Sequence, residues 1–157
     1  MTRGHGRIRL IGKADGTSRL IVNSSGLLNF GGATTLSKIN YTVENLNLYT
    51  LNGGTRGILF TRSDVTFINS KITSDNGVKQ WAGDRVSSIT LDANSFIGTS
   101  IFSAPEIKYS YKATAAPTNS TRLPVGTGFD ASDPNATRIG WINTVDNGLS
   151  WLAISPS

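Results

Sequence analysis

Glu44 and Asp92 are the pair of carboxylates whose spacing suits acid–base chemistry. They fall at equivalent positions two copies apart in a repeat of about 24 residues. If each copy stacks one strand spacing of about 4.8 Å on the last, their backbones stand about 10 Å apart. Glycoside hydrolysis uses two carboxyl groups about 5 to 9.5 Å apart, the wider separations belonging to inversion. Val43 and Leu91 alternate with the two acids, so an inward-facing Val43 and Leu91 place Glu44 and Asp92 outward. Ile68 takes the intermediate position and offers an apolar surface to a sugar ring. The competing reading is two ordinary surface acids among the ten in the chain. Trp81 and Tyr49 are the aromatics placed to stack on sugars, with Lys79 on the same strand face as Trp81. Packing of Trp81 against a neighbouring chain or loop explains its polar setting equally well.

Other chemistries lack their residues. The chain has no cysteine and one histidine, His5, which excludes a thiol nucleophile and a disulfide framework. It also leaves almost nothing from which to build a Cys-based or multi-His metal site, and no metal or cofactor is expected. Gly4-His5-Gly6 and Gly53-Gly54 lack the lysine and helix of a phosphate loop. The net charge is +5, and it sits early: residues 1–100 carry 11 Lys/Arg against 6 Asp/Glu, whereas 101–157 carry 4 against 4. A basic segment attracts nucleic acid or acidic polysaccharide, or is a solvated strand face. Nothing resembles a helix-turn-helix, a zinc finger or an aromatic RNA-binding sheet, so no nucleic-acid partner is expected. No apolar run approaches the roughly 20 residues of a membrane span, so no insertion is expected.

The elements that would position these side chains follow from the repeat. Tyr41, Val65 and Ile89 form one column, and Val43, Phe67 and Leu91 a second, two residues on, which is the same-face offset of a strand. Leu48, Ile72 and Ile97 form a third, with a one-residue slip in the last copy. Asn45, Asn69 and Asn94 continue the register as a candidate amide ladder at a bend. The turns Asn52-Gly53 and Asn76-Gly77 repeat at the same spacing. No stretch of residues 1–100 shows helical periodicity. The fold expected is all-β: a short right-handed parallel β-helix over residues 1–100, with upstream Ile8, Leu10, Leu20, Val22, Leu27 and Phe30 keeping strand alternation without a clear register. Residues 101–136, which hold four of the five prolines, read as a linker or extended arm. Residues 137–157 read as a C-terminal β-hairpin turning at Asp146-Asn147-Gly148, with Trp141 and Trp151 expected to be buried, on the arm or on another subunit.

The order Arg122-Leu-Pro124, Gly126-Thr-Gly-Phe-Asp130, Gly140-Trp-Ile-Asn143 and Gly148-Leu-Ser-Trp151 resembles a short hairpin module near the C-termini of bacteriophage tail fibres and tailspikes. Ile139-Gly140 and Ile142 depart from that pattern. The resemblance implies a homotrimer that recognises or degrades bacterial surface polysaccharide, on the virion tail or as a cytoplasmic prophage product before assembly. The preferred reading is a receptor-binding component that binds capsule or lipopolysaccharide without cleaving it. The alternative is a polysaccharide depolymerase, a glycoside hydrolase or lyase with Glu44 and Asp92, or acids between subunits, as its catalytic groups. The early excess of positive charge predicts that binding of an acidic glycan weakens from low to moderate salt, as titration at two ionic strengths will report.

Overall fold

Val, Ile, Thr, Phe and Tyr at alternate positions favour strands, and strands are what they form. The structure, a computed structural model, describes residues 6–23, 28–31, 38–51, 58–74, 81–83, 87–98, 108–112, 128–135, 138–144 and 150–156. Among these every helical or extended element is a strand, so the protein is all-β. A first pass of the chain gives β1 (Arg7–Ile11), β2 (Arg19–Val22) and β3 (Leu28–Gly31). A second gives β4 (Ile39–Glu44), β5 (Asn47–Thr50) and β6 (Ile58–Thr61), and a third β7 (Ser63–Ile68), β8 (Lys71–Ser74) and β9 (Trp81–Gly83). Then come β10 (Ser88–Asp92), β11 (Phe96–Ile97), β12 (Lys108–Lys112), β13 (Gly128–Asn135), β14 (Arg138–Asn143) and β15 (Trp151–Ile154).

Three sheets collect these strands: β1-β4-β7-β10-β12-β13-β14-β15, β11-β8-β5-β2 and β3-β6-β9. Pairing is parallel throughout, except that β13, β14 and β15 are antiparallel neighbours. Register follows the repeat. Val43 pairs with Phe67 and Phe67 with Leu91, and all three are at most 1% exposed. Tyr41, Val65 and Ile89 are likewise in register, Val65 and Ile89 buried and Tyr41 half-buried. Leu48, Ile72 and Ile97 form the buried column of the second sheet. From the third sheet, Phe30 stacks on Phe60 at 5.3 Å between ring centroids, and Tyr41 meets Phe30 edge-on at 5.1 Å.

The bend between the first and second sheets uses the predicted asparagines. Asn45 and Asn69 take φ of 54° and 45°, a left-handed conformation that Asn tolerates better than most residues. The Asn69 Nδ2–H donates to Asn45 Oδ1 at 2.8 Å. In the first pass Gly12 holds the equivalent position, because a Cβ there would collide with the Asn45 carbonyl oxygen. Asn94 departs from the ladder. One extra residue in its bend, the source of the slip to Ile97, leaves its backbone N–H donating to Asp92 Oδ1 at 3.2 Å instead. Beneath the bend, Ser70 Oγ accepts from the Leu46 N–H and itself lies against the carbonyl oxygens of Ile68 and Val43, while the Ser70 N–H donates to Ser95 Oγ.

Two parts of the chain do more than the sequence pattern indicates. Ile8 pairs with Tyr41, Leu10 with Val43, Leu20 with Leu48 and Phe30 with Phe60, so the N-terminal alternation is a complete first pass in register. Leu27 lies outside the described residues. Within residues 101–136, read as an arm, β12 and β13 instead extend the first sheet as parallel strands. Prolines on either side of Lys108-Tyr-Ser-Tyr-Lys112 obscure its strand alternation. The hairpin of β14 and β15 is present, and its turn at 146–148 lies outside the described residues. Trp141 is buried at 2% exposure within the chain's own core, whereas Trp151 is only half-buried, so Trp141 needs no partner to cover it.

Phe67→Ala is expected to cost about 3–5 kcal/mol in urea unfolding, because it empties a fully buried site. Asn69→Ala should cost more than Asn69→Gly, since both lose the amide bond but only alanine is strained at positive φ.

Candidate functional site

Alternation that sends Tyr41 and Val43 inward sends Asn40, Thr42 and Glu44 to the outer face of the first sheet. Parallel pairing extends each into a column. Arg7, Asn40, Asp64 and Ser88 form the first, Arg9, Thr42, Thr66 and Thr90 the second, and Ile11, Glu44 and Ile68 the third. A groove of about 330 Å³ lies on this face, lined by Arg7, Arg9, Asn40, Tyr41, Thr42, Asp64 and Thr66. The carboxylates in it and beside it, Asp64 and Glu44, are engaged. Arg9 Nη2–H donates to Glu44 Oε2 at 2.7 Å, and Lys38 Nζ–H donates to Asp64 Oδ1 at 2.8 Å. The Ser88 hydroxyl donates to the same Asp64 oxygen at 2.6 Å.

Asp92 is occupied differently. Both its oxygens accept from the Asn69 N–H at 3.1 Å, and Oδ1 also accepts from the Asn94 N–H and, at 2.6 Å, from the Ser95 hydroxyl. The series of bends explains why. The Gly12 N–H donates to the Glu44 carbonyl and the Asn45 N–H to the Ile68 carbonyl, each in the following pass. In the third bend the Asp92 carboxylate receives the Asn69 N–H. Asp92 thus secures the bend around its own extra residue.

The residues singled out from sequence are spread over the three sheets. Glu44 and Ile68 are cross-strand neighbours on the first, with Ile68 exposed as expected. Glu44 and Asp92 engage different partners, Arg9 for the former and the Asn69–Ser95 bend for the latter. Tyr49 lies on β5 in the second sheet, half-buried, with the Arg19 guanidinium 5.0 Å from its ring centroid. Trp81 belongs to β9 in the third sheet, where its backbone pairs with Ile58. Lys79 lies outside the described residues. The groove residues Arg7, Arg9, Thr42 and Thr66 were missed, although their signal is in the sequence: Asn40-Tyr-Thr42, Asp64-Val-Thr66 and Ser88-Ile-Thr90 repeat a polar–inward–Thr triplet at each pass.

Asp15, in the turn between β1 and β2, is held below the usual carboxylate range by the Thr17 hydroxyl and then by the Thr17 N–H, which makes it a turn device. Among the described residues no group of three His, Cys, Asp or Glu side chains is placed to hold a metal. Comparison of the chain with protein families, with curated proteins and with solved structures gives no match.

Asp92→Ala is expected to destabilise the protein by about 1–2 kcal/mol, through the charge-assisted bonds it removes from the bend. Glu44→Gln should cost under about 1 kcal/mol, because the Arg9 side chain it pairs with is 62% exposed. Urea unfolding of the two variants checks the order.

Proposed function

We propose that this chain is a carbohydrate-recognising part of a phage or prophage tailspike or tail fibre, built as a short right-handed parallel β-helix and assembled as a homotrimer on the virion tail. The observation that carries the reading is the repeated passage through three sheets in one parallel register, followed by the antiparallel set β13-β14-β15. That set holds Gly128-Phe-Asp130, Gly140-Trp-Ile-Asn143 and Trp151 of the pattern that resembles the C-terminal module of those proteins; Arg122-Leu-Pro124, Gly126-Thr127 and Gly148-Leu149 of that pattern lie outside the described residues. The right-handed sense follows from the general handedness of parallel crossovers.

Recognition of bacterial capsule or lipopolysaccharide is favoured over cleavage because each proposed catalytic acid is already engaged. A general acid must be free to give up a proton to the leaving oxygen, and Asp92 is surrounded by donors. Trimerisation is supported by apolar side chains at both ends of the first sheet. Ile8 and Ile11 on β1 are 42% and 58% exposed, and Leu152 and Ile154 on β15 are 61% and 37% exposed. Edge strands bearing such side chains favour association.

Light scattering of the purified chain is expected to give the mass of three copies, and a panel of bacterial capsules and lipopolysaccharides is expected to yield a ligand without release of reducing ends. A monodisperse monomer overturns the assembly, and absence of any glycan ligand overturns recognition. Release of reducing ends that is lost in Glu44→Gln or Asp92→Asn would make the chain a depolymerase.

A further inference from the structure

We propose that the groove on the outer face of the first sheet binds an acidic glycan, lying along the stack of strands across Thr42, Thr66 and Thr90, with a carboxylate of the glycan held by Arg7. The inference rests on the carbohydrate reading above and adds to it a site, an orientation and a charge class.

The charge class follows from which groups are already paired. Arg7 and Arg9 are two residues apart on one strand, so they project from the same face about 6.6 Å apart. Arg7 is exposed and has no ion-pair partner among the described residues. Arg9 gives one guanidinium nitrogen to Glu44 and keeps its side chain 62% exposed, leaving other donors of its fork to solvent. The acids beside the groove are neutralised: Glu44 by Arg9, and Asp64 by Lys38 with a further bond from Ser88. An arriving anion therefore meets unsatisfied guanidinium donors, and an arriving cation meets no unengaged carboxylate. A planar guanidinium fork matches a carboxylate in two parallel hydrogen bonds.

The orientation follows from the threonine column. Thr42 pairs with Thr66 and Thr66 with Thr90, so each step along the stack presents a hydroxyl about 4.8 Å from the last, close to the length of one sugar unit in an extended chain. Each hydroxyl both donates and accepts, which suits a ligand whose own groups are hydroxyls. Exposed Ile68, one column over, offers an apolar surface to the C–H face of a ring. The outward columns carry no aromatic side chain among the described residues. Tyr41, which also lines the groove, is turned inward, edge-on to Phe30 with its hydroxyl donating to the Gly31 carbonyl, so a polynucleotide would find no stacking platform here.

The test titrates the full chain, at low salt, with hexasaccharides of galacturonate, mannuronate and hyaluronan, each beside its carboxyl methyl ester, and with poly(U). At least one free acid should bind, with its ester about tenfold weaker. Arg7→Gln should weaken that binding about tenfold and Thr66→Val severalfold, the valine keeping the branched shape of the strand residue. Lys71→Gln, the same charge change on the second sheet, should stay within about twofold of the parent, and thermal melts should place all three variants near it. The proposal is overturned if no free acid binds, if acid and ester bind alike, if Arg7→Gln behaves as Lys71→Gln does, or if poly(U) binds more tightly than every glycan. A bacterial polysaccharide whose binding survives both Arg7→Gln and Thr66→Val would leave the carbohydrate reading standing and remove this site. Failure of every glycan in both experiments would remove the reading itself.

Discussion

The bend between the first and second sheets is the constraint on which the rest of this structure depends. At each pass a backbone N–H is handed to the following pass: Gly12 to Glu44, Asn45 to Ile68, and Asn69 to the Asp92 side chain. Side chains on a strand alternate with a period of two, so a slip of one residue would turn Phe67 to solvent and Thr66 into the core. The bend prevents that slip on both sides at once. It fixes where β4 and β7 end and where β5 and β8 begin, and the Val43 and Leu48 columns then meet in one core. The hydroxyls of Ser70 and Ser95 serve the N–H groups that the turning chain withdraws from the ladders.

What was legible in the sequence was whatever recurs at constant spacing. Second, third and fourth passes align because their loops are of nearly equal length, and the three apolar columns were readable from that. The first pass was not, since Arg7 pairs with Asn40 across a longer connection, and closing a longer surface loop costs little free energy. β12 was hidden for the opposite reason: Ile89 reaches Tyr109 over a shorter connection than the repeat, in a stretch flanked by prolines. The paired sites fared worse. Alternation correctly placed Glu44 outward, but a single added residue after Leu91 converted Asp92 from a presumed surface acid into the acceptor for its own bend. Columns predict which residues are neighbours; they do not predict which of those neighbours will already have used each other.

The outer face of the first sheet shows the same economy in its charges. Two of its acids are bound to cations contributed by other strands or loops, over sequence separations that no local motif reveals. What remains for an incoming molecule is a row of hydroxyls bordered by guanidinium groups. On the reading proposed above, such a surface recognises by repetition, through modest contacts made at regular intervals. That is a different logic from a catalytic pocket, which concentrates its chemistry on one bond.

The equal spacing of the second and third passes also has a meaning for heredity. Phe67 bears to Val43 the relation that Leu91 bears to Phe67, so the upper surface of one pass is a ready seat for another of the same kind. An in-frame duplication of one such gene segment would lengthen the protein without asking any existing residue to change, and a deletion would shorten it as simply. Each such step would change the outer face by one strand spacing, about 4.8 Å, a whole unit that no point substitution supplies.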